Sequence, residues 1–81
     1  MKIVIVDDEQ ASIDALTKKL GNFPETSIVG TANDGHAGLE MIREEKPELL
    51  FLDVEMPDIS GIDFLDKLKD MSGVNCRIVI Y

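Results

Sequence analysis

Eighty-one residues allow one small domain, of a size that buries only roughly 60% of its unfolded surface. A hydrophobic content of 44% beside 30% charged residues excludes a disordered chain. Sixteen acids against eight bases give a net charge of -8, which argues against a chain that grips nucleic acid by its own charge.

The opening "MKIVIVDDE" carries a short apolar run broken by Asp7 and Asp8, so it reads as neither a signal peptide nor a membrane span. Residues 3–6 are a continuous β-branched run, the pattern of a strand covered on both faces. Over 9–20, Ile13, Leu16 and Leu20 fall at helical spacing, and Gly21-Asn22 supplies a stop. Pro24 lies in a loop, and residues 27–31 form a short second strand. Asp34 caps a helix running to about residue 45, with a buried stripe of Ala37, Met41 and Ile42 and Leu39 on its flank.

Pro47 ends that helix, and 48–53 is the third strand. Ser60 with Asp63 three residues later has the form of a capping box, opening a helix that turns Ile62, Leu65 and Leu68 inward until Ser72-Gly73 closes it. Residues 77–81 read as a fourth strand. His36 is expected on a helix surface; Cys76, Met41, Met56 and Met71 are expected to pack. The single cysteine cannot form an internal disulfide and fits a reducing compartment, so a cytoplasmic location is the default expectation.

Strands alternating with helices imply right-handed crossovers and a parallel sheet covered on both faces, an α/β fold of one domain over 1–81. In such sheets ligands bind outside the carboxyl ends of the strands, where the strand order reverses. In the flavodoxin-like order 2-1-3-4, Asp7 and Asp8 after strand one would converge with Asp53 after strand three. Singly, each acid also reads as a cap or turn residue. Clustered carboxylates repel, and Mg²⁺ relieves that repulsion through one or two carboxylates while binding phosphate oxygens. An aspartate clamped in this way suits phosphoryl acceptance, with Pro57 and Gly61 fixing the loop that follows.

Three stretches then carry a resemblance: "IVIVDDE", "NDGHAGLEMI" and "LLFLDVEMPDISGIDFL". The chain resembles the receiver domain of a two-component response regulator over its whole length. The resemblance implies that Asp53 accepts a phosphoryl group from a phosphohistidine on a sensor histidine kinase. It implies Asp8 as a direct Mg²⁺ ligand, Glu55 as a ligand through its backbone carbonyl, and Asp7 acting through water or from behind the direct ligands. Such a domain assists its own phosphorylation and is not a turnover enzyme. The string "DVEMPDISGIDFL" leans towards regulators with a LytTR-type DNA-binding output domain.

Receiver domains have five strands and five helices, so this chain is expected to stop before the last α4-β5-α5 portion. The family's switch Ser or Thr, just after the fourth strand, and its phosphate-pairing Lys have no counterpart here. Impaired loading and self-association through a bare fourth-strand edge are therefore expected. A non-catalytic interaction fragment of a receiver domain is the alternative. A Walker-like reading of residues 30–35 fails because His36 and Ala37 stand where Lys and Ser/Thr are needed. A haloacid-dehalogenase-like reading fails at Glu55, where that family places a second Asp.

Overall fold

β-branched side chains crowd the first strand, and β1 (Lys2–Val6) carries Ile3, Val4, Ile5 and Val6 with no exposed surface. The structure, a computed structural model, describes residues 1–81. After β1 follow α1 (Gln10–Leu20), β2 (Ser27–Ala32), α2 (Gly35–Glu45), β3 (Leu49–Leu52), α3 (Gly61–Lys69) and β4 (Arg77–Ile80). The strands form one parallel sheet, as the alternation implies, in the order β2-β1-β3-β4, the flavodoxin-like order expected of the family the chain resembles. β2 runs one residue further than expected, while β3 and β4 are trimmed at their ends.

Alternation along β1 divides the core. Ile3 and Ile5 pack with Ile13 of α1, joined by Leu16, Leu20, Leu49 and Phe51. Val4 and Val6 face the other way, onto Leu39 and Ile42 of α2 and Phe64 and Leu68 of α3. Gly38 lets α2 lie close on the sheet, since a Cβ there would come within 2.7 Å of a Val6 methyl. Lys46 ends α2 in the left-handed region at φ 47, and Pro47 follows, buried.

Two helical faces differ from the sequence reading. Ala37 is exposed, and α2 instead buries Gly35, Gly38, Leu39 and Ile42. The close approach at Gly38 turns the helix so that Leu39 enters the core and Ala37 leaves it. On α3, Ile62 is 75% exposed and Phe64 is fully buried. Gly61 backs onto Val54, where a Cβ would sit 2.9 Å from that side chain. This seats the 61, 64 and 68 stripe on the sheet, with Leu65 half-buried at its margin and Ile62 rotated out. Cys76 is half-buried just before β4.

Candidate functional site at the carboxyl ends of the strands

Parallel register aligns the tips of three strands. Val6 pairs with Leu52 and Leu52 with Ile80, so Asp7, Asp53 and Tyr81 come next in one row. Backbone bonds continue past the strands: the Asp53 N–H donates to Val6 O at 3.0 Å, and the Tyr81 N–H donates to Leu52 O at 3.4 Å. With side chains alternating, Asp7 follows Ile5 and Asp53 follows Phe51, on the α1 side of the sheet. Asp8 stands in the short turn into α1.

One carboxylate oxygen from each of Asp7, Asp8 and Asp53 lies within 4.8 Å of the other two. Asp7 is only 3% exposed, Asp53 is half-buried and Asp8 is exposed. Both oxygens of Asp7 are engaged: Oδ1 accepts the Glu9 N–H at 2.9 Å, and Oδ2 accepts the Tyr81 hydroxyl at 2.6 Å. Asp53 Oδ1 accepts the Glu55 N–H at 3.1 Å. Burial pushes the Asp53 carboxyl above its ordinary range; the Glu55 N–H opposes this, and the charge of Asp7 adds to it. The ion pairs of the protein, His36 with Asp58 and Arg43 with Glu40, lie elsewhere, so no basic side chain balances the three acids. An all-oxygen, electron-rich donor set of this kind fits a hard divalent cation.

The loop after β3 is tied down on three sides. Met56 and Ile59 are buried, and Glu55 bridges to Ser60 in antiparallel fashion. The Ser60 hydroxyl accepts the Asp63 N–H at 3.1 Å, which is the N-cap half of the expected capping box. Asp58 accepts the N–H groups of Gly35 and His36 at 2.9 and 3.0 Å, and these bonds hold its carboxyl below the usual range. Asp34 caps the same helix as expected, accepting the Ala37 N–H at 2.7 Å. Ile59 lies against Gly35, where a Cβ would fall 1.9 Å from it, so the loop and the start of α2 are in direct contact.

The structure thus brings Asp7, Asp8 and Asp53 together, with Glu55 bonded to Asp53 through its backbone. Pro57 is in the same loop, and Gly61 opens α3. The sequence reading missed Tyr81, which reaches Asp7 from 74 residues away, and Asp58, whose clasp on α2 spans 22 and 23 residues. No sequence signal pointed to Tyr81, since the bond depends on the β3–β4 register.

The response regulator receiver domain profile matches residues 3–81. The chain belongs to that family. This receiver domain is 41% identical over 68 residues to a protein-glutamate methylesterase/protein-glutamine glutaminase of Methylobacillus flagellatus, covering 84% of the chain and 19% of that relative. A protein of the same name from Albidiferax ferrireducens is 43% identical over 68 residues, covering 84% of the chain and 18% of the relative. The receiver domain spans about a fifth of the length of these curated relatives.

Solved structures agree. The response regulator domain of Thermotoga maritima CheB superposes with a TM-score of 0.89 at 28% identity, over 99% of this receiver domain and 58% of that chain. The receiver domain of AraT from Geobacillus stearothermophilus gives 0.85 at 25% identity, over 98% and 61%. No helix of the receiver domain is long and apolar enough to cross a membrane.

Proposed function

We propose that Asp53 accepts a phosphoryl group from a phosphohistidine of a sensor histidine kinase, with Mg²⁺ as the cofactor. The observation that carries this reading is the convergence of Asp7, Asp8 and Asp53 at the tips of adjacent strands, in a chain of this family. Asp8 and Asp53 would hold the cation through their carboxylates and Glu55 through its backbone carbonyl, with Asp7 acting through water. The bound cation supplies charge neutralisation at the transferred group and at the crowded acids. Asp53 attacks phosphorus with its free carboxylate oxygen: an O–P bond forms, the N–P bond breaks, and the imidazole leaves with the bonding pair. The Glu55 N–H holds the other oxygen of Asp53 and fixes the direction of attack.

The three acids lack a basic partner, so charge balance at the acceptor would rest on the cation alone. We expect slow loading for that reason. Incubation with an acyl phosphate and Mg²⁺ should add one phosphoryl group by intact-mass spectrometry. Asp53→Asn and removal of the cation by chelation should each abolish it. Labelling that survives Asp53→Asn refutes the assignment.

A second reading has its own observation: β4 is an edge strand whose Ile78, Val79 and Ile80 are all exposed. Such an edge favours self-association through β4, as a non-catalytic interaction module would use it. Magnesium binding separates the two readings, since only the first requires it. With its acidic surface the chain is not proposed to contact nucleic acid directly, and a cytoplasmic location goes with a kinase partner.

A further inference from the structure

The acidic pocket contains one group that neither the acceptor role nor the cation accounts for. The Tyr81 hydroxyl donates to Asp7 Oδ2 at 2.6 Å, while the Glu9 N–H occupies Oδ1 at 2.9 Å. Each oxygen of Asp7 thus already accepts one hydrogen bond, and Asp7 is only 3% exposed, in contrast to exposed Asp8 and half-buried Asp53. The Tyr81 ring is itself held, meeting Phe51 edge to face with centroids 6.2 Å apart. Register places it there: Tyr81 follows Ile80, which pairs with Leu52, which pairs with Val6 ahead of Asp7.

We propose that Tyr81 is a positioning residue that withholds Asp7 from direct coordination and so sets the preference of the pocket for a small divalent cation over a large one. The physical basis is ligand number. Mg²⁺ takes one or two carboxylates and keeps several waters, whereas Ca²⁺ takes six to eight oxygens and gains from every added carboxylate. With Oδ2 of Asp7 engaged by a neutral donor, the directly available carboxylates are those of Asp8 and Asp53. Freeing that oxygen adds a third carboxylate, which benefits the larger ion more. The inference rests on the cation-site reading above.

Calorimetric titrations of the 81-residue chain and of Tyr81→Phe with Mg²⁺ and with Ca²⁺, at one ionic strength, test it. The phenylalanine keeps the ring on Phe51 and removes only the hydroxyl. The ratio of calcium to magnesium affinity should rise roughly tenfold or more in the variant, the lower end of the worth of one hydrogen bond to a charged group. An unchanged ratio with intact magnesium binding overturns this inference and leaves the cation site standing. Failure of the unsubstituted chain to bind either ion overturns both. A second readout needs no variant: Tyr81 is the one tyrosine and there is no tryptophan, so near-ultraviolet emission reports on this hydroxyl. A carboxylate acceptor quenches that emission, and saturation with Mg²⁺ should leave it quenched. Recovery of emission on adding Mg²⁺ means that the cation has taken Oδ2, which overturns the proposal.

Discussion

At the scale of single residues, two carboxylates are pulled in opposite directions by their surroundings, which gives the cation-free chain a particular pH dependence. Asp53 is raised, chiefly by burial, so folding disfavours its charged form. Its contribution is unfavourable above its folded pKa and is relieved as pH falls from there towards the unfolded value near ~3.9. Asp58 is lowered by the Gly35 and His36 N–H groups. Its stabilisation is fully present above the unfolded value and is lost as pH falls through the lower, folded one. Thermal melts without divalent cations should therefore show stability rising on mild acidification and falling only in stronger acid. Asp53→Asn should raise the neutral-pH midpoint and flatten the mildly acidic rise, while Asp58→Asn should blunt the loss in stronger acid. A neutral-pH midpoint unchanged by Asp53→Asn counts against burial of that charge. The acids themselves were legible as residues from their place after apolar runs. Their hydrogen-bond partners were not, because the Asp7–Tyr81 and Asp58–Gly35 bonds depend on which strands and loops become neighbours.

At the scale of elements, continuous apolar runs located every strand and helical spacing every helix, but the phase of two helices escaped the pattern. α3 offers Ile62, Phe64 and Leu65 within four residues, and more than one helical face drawn through them is apolar. What selects the face is the seat of Gly61 on Val54, a contact across the chain that no local pattern records. The two candidates differ sharply in consequence. Phe64→Ala removes a fully buried ring and should cost about 3–5 kcal/mol, enough to unfold most of a domain this small. Ile62→Ser, at a position 75% exposed, should change stability by about 0.5 kcal/mol or less. Urea denaturation followed by circular dichroism compares them, and comparable losses for both would mean that α3 packs in the other phase. Ala37 was misplaced for a related reason: a glycine registers as an absence in a hydrophobic pattern, yet Gly38 marks where α2 lies closest to β1.

For the whole molecule, the order β2-β1-β3-β4 leaves β4 on an edge, with Ile78, Val79, Ile80 and Tyr81 exposed. A groove of about 280 Å³ lined by Leu65, Leu68, Val74, Cys76 and Ile78 runs beside it. Apolar area of this kind beside unpaired backbone favours association, and salt screens the repulsion from a net charge of -8. Sedimentation should therefore give a weight-average mass above that of a monomer and rising with concentration, and Ile80→Lys should return it towards the monomer. A monomer at all concentrations would rule the edge out as an interface. The alternation implied a parallel sheet, but its order came only with the flavodoxin-like fold of the family the chain resembles, because no local pattern records which strands become neighbours. A bare β4 edge was expected as well; which of its side chains stay exposed was not, because that depends on which helices reach that edge. The central place of β1 has a further consequence, for the order in which a ribosome delivers the chain. Of the four strands, β1 is made before both of its neighbours, the segments beginning at Ser27 and Leu49. Its most apolar residues must wait, shielded by chaperones or by transient collapse, until β3 has also been synthesised.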